Sequence, residues 1–185
     1  MTRALYIHGF ASQGDSARVT QLLDCGFRDA YAPDFFLSAQ DNLELVRKMA
    51  PESLCFVGTS LGGFYAALFG AIFKRPAIAF NPVPAARYME RRLGEHRNLK
   101  TGESFLWTQA HHDALAELEA RAGSPLAQRS DLLIFSGRKD DIVPSSALLA
   151  LNADTHLIDA GHRIPELHPY LGQGIGRDFL QAQRH

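Results

Sequence analysis

The chain has 185 residues, of which 46% are hydrophobic and 21% charged, and its formal net charge is −1. This length and composition predict one globular domain with a sizeable core and exclude an intrinsically disordered chain. The near-neutral charge gives no reason to expect nucleic acid or an anionic membrane as a partner.

Only two cysteines occur, Cys25 and Cys55, so the sequence predicts no disulfide framework and fits a reducing compartment. The first ten residues contain too few apolar side chains for a signal peptide. No apolar stretch reaches the ~18 residues that span a bilayer. We therefore expect a cytoplasmic protein without a membrane span; the sequence indicates no oligomeric state.

Six short apolar runs, each about as long as a β-strand, recur along the chain, and most end at Gly, Pro, Asn or Ser. The predicted strands are 4–7, 27–32, 54–57, 77–80, 132–135 and 156–158. Segments with helical spacing lie between several of them, at 17–23, 42–49 and 64–73. The last of these is apolar nearly all round, which predicts a helix buried in the middle of the molecule. The alternation predicts an α/β fold, with a mostly parallel sheet of about six strands flanked by helices.

The interval from 82 to 125 interrupts this alternation, because it contains no convincing strand and is polar with helical patches such as 113–121. Its first part, residues 87–100, carries five Arg or Lys against two Glu. We predict a single domain over residues 1–185 with a helical insertion at about 82–125. This insertion is interpreted as a lid over a site at the sheet edge or, alternatively, as a solvated pair of helices.

Residues 58–62 read G-T-S-L-G, a G-x-S-x-G pattern centred on Ser60. The pattern is typical of a sharp strand-to-helix turn that raises a serine hydroxyl above a sheet edge. It lacks the Lys-Ser/Thr ending of a P-loop and the G-x-G-x-x-G of a dinucleotide site. Because a predicted strand precedes Ser60 and a predicted helix follows it, we interpret Ser60 as a nucleophile, with an ordinary glycine turn as the alternative.

A serine hydroxyl becomes a useful nucleophile when a base takes its proton and a carboxylate orients that base. In proteins with this turn, the acid and then the histidine follow later in the chain. Asp140 and Asp141 lie on the loop after the strand predicted at 132–135, and both are candidates for the acid. His162 lies on a glycine-containing loop after the last predicted strand and is the candidate base. Asp159 is too close to His162 in the sequence, at the same strand end, to be the acid that orients it, and it is interpreted as structural.

Such a site also needs two backbone N–H groups directed at the negative charge that develops on the substrate, an effect worth ~3 kcal/mol per donor. Leu61, which follows the nucleophile, is expected to supply one. Phe10 is expected to supply the other, from the loop I-H-G-F-A-S at 7–12, where Gly9 makes room for a tight backbone path. His8 is then interpreted as a residue that shapes the loop.

The remaining histidines carry no prediction of chemistry. Those in polar or terminal settings are expected to face solvent, namely His96, His111, His112, His168 and His185. The pair His111–His112 does not predict a metal site, because adjacent side chains on a helix point in different directions.

Together these motifs resemble the α/β-hydrolase superfamily and, more closely, its small YqiA-type esterases. The similarity rests on L-Y-I-H-G-F-A-S at 5–12, V-G-T-S-L-G-G-F-Y-A at 57–66 and P-A-I-A-F-N-P at 76–82. The family pattern G-x-x-D-x-x-V-P matches residues 137–144, which favours Asp140 over Asp141 as the acid. The A-G-H-R-I at 160–164 departs from the relatives, which carry an extra glycine and an aromatic residue near the histidine.

The resemblance implies a minimal α/β-hydrolase fold that lacks the N-terminal strands of larger relatives. It implies a triad of Ser60, Asp140 and His162 that needs no metal or cofactor, and hydrolysis of a small-molecule acyl ester through an acyl-enzyme. The basic residues of 87–100 motivate an acyl-CoA thioesterase as the alternative, because they suit phosphates. A peptidase or acyltransferase with the same triad, and a catalytically inactive hydrolase fold used for binding, are further alternatives.

Overall fold

The structure is a computed structural model that describes residues 3–49, 51–151 and 154–183. Its strands are β1 (Arg3–Ile7), β2 (Asp29–Tyr31), β3 (Leu54–Thr59), β4 (Ala77–Phe80), β5 (Gly94–Arg97), β6 (Ser104–Trp107), β7 (Leu132–Gly137) and β8 (Thr155–Ile158). Its α-helices are α1 (Ser16–Asp24), α2 (Ala39–Lys48), α3 (Leu61–Phe73), α4 (Gln109–Ala122), α5 (Ser145–Leu149), α6 (His168–Leu171) and α7 (Gly174–Ala182). Within the described ranges, no helix has the length and apolar character needed to cross a membrane.

Six of the strands form one parallel sheet in the order β2-β1-β3-β4-β7-β8, which confirms the predicted number of strands and their direction. The chain runs from β1 outward to β2 and then returns past β1 to β3. The strand order therefore reverses between β1 and β3. In open α/β sheets, ligands bind outside the carboxyl ends of the strands at such a reversal.

Helices cover both faces of this sheet, and each face has its own apolar core. Residues of α2, α3 and α4 pack in one core, and residues of α1, α6 and α7 pack in the other. Neighbouring residues of a strand alternate between the two; Phe56 lies in the first core, whereas Cys55 and Val57 lie in the second. Burial on both faces is the reason that these strands read as continuous apolar runs in the sequence.

Helix α3 lies against the middle of the sheet, as its all-round apolar character predicts. Ten of its residues, from Leu61 to Gly70, are buried. A Cβ atom added to Gly62 would lie 2.0 Å from the carbonyl oxygen of Ile7, and one added to Gly58 would lie 2.1 Å from the carbonyl oxygen of Gly62. The two outer glycines of G-x-S-x-G are therefore required because β1, β3 and α3 approach one another at backbone distance.

The interval 82–125 differs from the helical insertion that the sequence predicts. It contains a 3₁₀ segment at Ala86–Arg92 and helix α4, but also an antiparallel hairpin of β5 and β6. The prediction of no strand there was wrong because each of these strands has only four residues: β5 (G-E-H-R) is polar, and the apolar run of β6 (F-L-W) is only three residues long. The hairpin is stabilised by distant contacts instead, since Phe105 and Trp107 pack edge-on against the ring of Phe10.

Candidate active site

Ser60 occupies the turn between β3 and α3 in a conformation that few non-glycine residues adopt, with φ 56° and ψ −123°. Such a conformation costs about 1–3 kcal/mol and persists only where the surroundings hold it. Here the amide of Ser60 donates to the carbonyl of Phe80 at 2.9 Å, while its carbonyl accepts from Phe64 at 3.1 Å and from Val83 at 3.2 Å. The neighbouring strand β4 and the first turn of α3 thus fix the backbone of Ser60.

A chain of hydrogen bonds joins the three residues that the sequence predicts as a triad. The hydroxyl Oγ of Ser60 lies 3.1 Å from Nε2 of His162. Nδ1 of the same imidazole lies 2.9 and 3.0 Å from the two carboxylate oxygens of Asp140. Because the carboxylate accepts a hydrogen bond from Nδ1–H, the Nε2 lone pair is left facing the serine hydroxyl. In this tautomer His162 can accept the Ser60 proton.

The environment of Asp140 distinguishes it from Asp141. The Asp140 side chain is fully buried, and its Oδ1 also accepts from the amides of Ile142 at 2.9 Å and Val143 at 2.8 Å. These two amides hold the carboxylate toward the imidazole. The side chain of Asp141 is exposed, and no hydrogen bond joins it to His162 within the described ranges. The structure therefore brings Asp140, and not its neighbour, against the histidine.

The loop after β1 lies directly beside Ser60, because a Cβ added to Gly9 would be 3.4 Å from the Cβ of Ser60. His8 shapes this loop, as predicted: its Nε2 accepts from the amide of Phe35 at 2.9 Å, and its Nδ1 then donates to the carbonyl of Gly9 at 3.0 Å. Burial lowers the pKa of His8, which keeps this imidazole neutral. His8 is therefore a structural residue of the loop.

The two predicted backbone donors flank the serine. Leu61 begins α3 directly after Ser60, and Phe10 follows Gly9 in the adjoining loop. Neither amide donates to an acceptor in the part of the chain that the structure describes. Two unpaired N–H groups next to a serine hydroxyl are suited to a developing oxyanion.

Asn81 is a buried residue of the site that sequence reasoning missed. It is fully buried and has a positive φ of 46°. Its amide nitrogen donates to the carbonyls of Gly161 and His162, both at 2.9 Å, and its amide oxygen accepts from Gly137 at 2.7 Å. The side chain thus joins the end of β7, before Asp140, to the loop that carries His162. The one sign of this role in the sequence was the position of Asn81, a polar residue directly after a buried strand and before Pro82.

A second set of hydrogen bonds holds the segment that follows His162, and no pattern in the sequence indicated it. The guanidinium of Arg18 donates to the carbonyls of Ile164 and Pro165. Gln21, one turn later on α1, donates to Pro165 at 3.1 Å and accepts from the amide of Leu167 at 3.2 Å. Helix α1 therefore fixes the segment that follows the histidine.

Ser60 and His162 lie in a cleft of about 810 Å³. Residues of the 3₁₀ segment and of the hairpin form one of its walls. Five arginines line the cleft, namely Arg18, Arg91, Arg92, Arg97 and Arg163. Asp15 is the one carboxylate among the described lining residues, and it is paired with Lys100 at 2.9 Å, which lowers the pKa of Asp15. The cleft therefore presents uncompensated positive charge around the serine.

Three histidines expected to face solvent are partly buried instead. His96 packs edge-on against Phe10 at 4.8 Å, His111 accepts from the amide of Thr108 at the start of α4, and His112 contacts Asp113. His168 is exposed as predicted, and His185 lies outside the described residues. Among the described residues, no three His, Cys, Asp or Glu side chains are grouped to hold a metal ion.

We expect Asn81→Asp to destabilise the protein by about 3–5 kcal/mol at neutral pH, because the introduced carboxylate would be buried against two carbonyl oxygens. Burial raises the pKa of that carboxyl in the folded state above the ~3.9 of the unfolded chain. The cost should therefore be small near pH 4 and grow as the pH rises. Urea unfolding of variant and wild type at pH 4.5 and pH 7.5 measures it.

The matched control is Asn98→Asp, because the side-chain oxygen of Asn98 accepts from the amides of Lys100 and Thr101 and a carboxylate can replace it. We expect this control to cost less than about 1 kcal/mol at both pH values. Equal losses of unfolding free energy in the two variants would contradict the conclusion that the Asn81 side chain holds the loop of His162 in place.

The fold is similar to that of solved α/β-hydrolases. The monoacylglycerol lipase of Paleococcus ferrophilus is 17% identical with a TM-score of 0.61, covering 97% of this chain and 91% of that protein. The esterase domain of a Rhodothermus marinus protein is 19% identical with a TM-score of 0.66, and the match covers 99% of this chain and 87% of that domain. An α/β-hydrolase enzyme from a sediment metagenome of the Mar Chica lagoon, Morocco, is 16% identical with a TM-score of 0.63, and the match covers 100% of this chain and 92% of that enzyme.

These similarities establish the fold, and they confirm the α/β-hydrolase fold that the sequence predicts. The family described as "Uncharacterised protein family (UPF0227)" matches residues 3–175, which is nearly the whole chain. The chain belongs to this family, and its fold is that of the α/β-hydrolases.

Proposed function

We propose that the protein is a serine esterase, which hydrolyses carboxylic esters of acyl substrates through an acyl-enzyme on Ser60. The observation that carries the proposal is the hydrogen-bonded chain from Ser60 through His162 to a fully buried Asp140. The two unpaired amides beside Ser60 and the cleft that opens onto it support the same conclusion. Residues 82–125 act in this proposal as the cover of the cleft, within a single domain.

In the first half-reaction, Oγ of Ser60 attacks the ester carbonyl carbon while Nε2 of His162 accepts the hydroxyl proton. The carbonyl π electrons move to oxygen, and the amides of Leu61 and Phe10 donate to this oxyanion. When the tetrahedral intermediate collapses, the bond to the leaving alcohol breaks. His162 returns its proton from Nε2 to the departing oxygen, which leaves the acyl group on Ser60.

In the second half-reaction, water takes the place of the alcohol. His162 accepts a proton from the water as its oxygen attacks the acyl carbonyl, and the same two amides stabilise the second oxyanion. Collapse releases the carboxylic acid and returns the proton to Oγ of Ser60. Asp140 accepts a hydrogen bond from Nδ1–H throughout, so it fixes the tautomer and stabilises the imidazolium in both halves.

Replacing the nucleophile tests the proposal directly. We expect Ser60→Ala to lower kcat for p-nitrophenyl butyrate at least ~10³-fold and to abolish labelling by a fluorophosphonate, because both need the same oxygen. Mass spectrometry of the labelled wild type should place the adduct on Ser60. Ser12→Ala is the matched control, since Ser12 lines the same cleft without contacting His162. Labelling that survives in Ser60→Ala would reject the proposed nucleophile.

The adjacent aspartates provide a second test. Asp140→Asn should lower kcat roughly 10³- to 10⁴-fold, because an amide can donate to Nδ1 and favour the wrong tautomer. Asp141→Asn should stay within about twofold of the wild type, because its side chain is exposed and makes no contact with His162. Steady-state hydrolysis of one p-nitrophenyl ester by both variants decides which of the two aspartates is the acid. The reverse order of effects would assign the acid to Asp141.

A second candidate, an acyl-CoA thioesterase using the same triad, is favoured by the arginines of the cleft. Three of the basic residues of 87–100, Arg91, Arg92 and Arg97, line the cleft, and Arg163 lines it as well. Guanidinium groups bind phosphates through charge-assisted pairs of hydrogen bonds. A substrate whose leaving group carries several phosphates would neutralise this charge.

The thioesterase candidate predicts a preference for phosphate-bearing thioesters. We expect the double variant Arg91→Gln/Arg92→Gln to lower kcat/KM for butyryl-CoA by roughly tenfold or more, because two charge-assisted contacts are lost. Hydrolysis of butyryl-N-acetylcysteamine, which has no phosphate, should be unchanged. Arg121→Gln is the control, because Arg121 does not line the cleft. Equal losses on both thioesters would remove the evidence for phosphate recognition.

The remaining alternatives use the same measurements. A peptidase would cleave amides, an acyltransferase would favour alcohol acceptors over water, and an inactive binding protein would not react with the fluorophosphonate.

The proposal also keeps the cytoplasmic location expected from the sequence. Both cysteines, Cys25 and Cys55, are unpaired thiols, and unpaired thiols are typical of a reducing compartment.

A further inference from the structure

A second cavity, separate from the cleft, lies where the loop after β1 meets the hairpin of β5 and β6. Its volume is about 230 Å³, and it is partly open to solvent. Ser60 and His162 line the cleft and not this cavity, so the proposed reaction does not use it. Six aromatic side chains line the cavity, namely Phe10, Phe35, Phe36, Tyr65, Phe105 and Trp107.

Packing holds these rings in place. The ring of Phe10 packs edge-on against Phe105 and Trp107, both at 5.5 Å. The rings of Phe35 and Tyr65 stack on Phe69 in the core, at 6.4 and 5.5 Å. The face of an aromatic ring is electrically negative and attracts a cation that lies within about 6 Å of the ring centroid. Several fixed rings around one small space are therefore suited to a cation.

The charge of the cavity has the sign that a cation requires. Glu103 is the one Asp, Glu, Lys or Arg among the described residues that line it. Its carboxylate accepts from the hydroxyl of Thr101 at 3.2 Å, and no Lys or Arg forms an ion pair with it in the described part of the chain. His8 also lines the cavity, but burial lowers the pKa of its imidazole, which stays neutral. The cavity therefore has one uncompensated negative charge.

The amide and imidazole side chains of the wall are already used by the protein itself. Both ring nitrogens of His8 form hydrogen bonds with backbone groups. The side-chain amide of Asn42 both donates to and accepts from the backbone of Phe36. The side-chain oxygen of Asn98 accepts from two amides of its own turn. These contacts shape the loops around the cavity and leave the carboxylate of Glu103 to contact a ligand.

The neighbouring cleft has the opposite charge preference. Residues 8–12 line both spaces, but five arginines line the cleft and none of them lines the cavity. A cation is repelled by the guanidinium groups of the cleft and attracted by the carboxylate of the cavity. The two spaces therefore select ligands of opposite charge, and the cavity is not a continuation of the cleft in its chemistry.

We propose that this cavity binds a small organic ammonium ion, held by cation–π contacts with the aromatic rings and by an ion pair with Glu103. Tryptophan is the aromatic side chain that attracts cations most strongly, and cages of aromatic rings recognise quaternary ammonium groups in this way. An apolar cavity of ~150 Å³ accommodates benzene, so about 230 Å³ has room for an ammonium ion with short alkyl groups. The proposal does not depend on the triad or on esterase activity.

The fluorescence of Trp107 measures this binding, because Trp107 is the one tryptophan of the sequence and lines the cavity but not the cleft. The probes are tetramethylammonium chloride and tert-butyl alcohol, which have nearly the same shape and differ in charge. At constant ionic strength, set with sodium chloride, we expect the ammonium ion to change the fluorescence of the wild type saturably and to bind roughly tenfold or more tightly than the alcohol. Equal affinities for the two probes, or no saturable change with the ion, would overturn the proposal.

Two variants and a control locate the ion. Glu103→Gln removes the charge of an exposed side chain, so it should weaken binding of tetramethylammonium roughly threefold or more and leave that of tert-butyl alcohol unchanged. Phe36→Leu removes a ring that is 56% exposed and should weaken binding of the ion roughly twofold or more. Glu95→Gln is the matched control, because Glu95 is an exposed glutamate of β5 that does not line the cavity. Equal affinities of Glu103→Gln and Glu95→Gln for the ion would reject the assigned site.

Discussion

The close approach of β1, β3 and α3 is the constraint on which the rest of the structure depends. Gly58 and Gly62 leave no room for a side chain, so the strand must turn into the helix within one residue. That residue is Ser60, whose positive φ follows from the sharpness of the turn. The same approach brings the loop after β1 against the serine and leaves the first amide of α3 unpaired. The proposed nucleophile, the loop and the proposed amide donor therefore share one packing requirement.

The histidine and its carboxylate depend on a second set of restraints, all of them polar; Asp140 and Asn81 are buried, whereas Arg18 and Gln21 are partly exposed. Asp140 is held by two amides, the His162 loop by Asn81, and the segment after it by Arg18 and Gln21. Hydrogen bonds of buried groups are strong because the local dielectric constant is low and water does not compete. This network fixes the imidazole between Ser60 and Asp140, and the buried side chains of Ile164 and Leu167 anchor the segment after the histidine in the second apolar core.

The sequence predicted the parts of the site that are encoded locally. Ser60 lies in a five-residue motif, and Asp140 and His162 follow short apolar strands whose carboxyl ends must share one edge of a parallel sheet. The role of Asn81 was not predictable in the same way, because its partners are 56 to 81 residues away along the chain. The hairpin was missed for a related reason, since its two four-residue strands are stabilised by Phe10, far away in the sequence. Contacts formed only by the folded chain leave no periodic pattern.

The position of Phe10 links the loop beside Ser60 to the hairpin of β5 and β6. Its ring packs against His96 of β5 at 4.8 Å and against Phe105 and Trp107 of β6, both at 5.5 Å. Its backbone follows Gly9, which lies against Ser60. Because the ring that holds the hairpin belongs to the loop beside the serine, a change in the packing of the hairpin would also change the position of that loop. The hairpin that sequence patterns did not predict is therefore a support of the candidate site as well as part of the wall of its cleft.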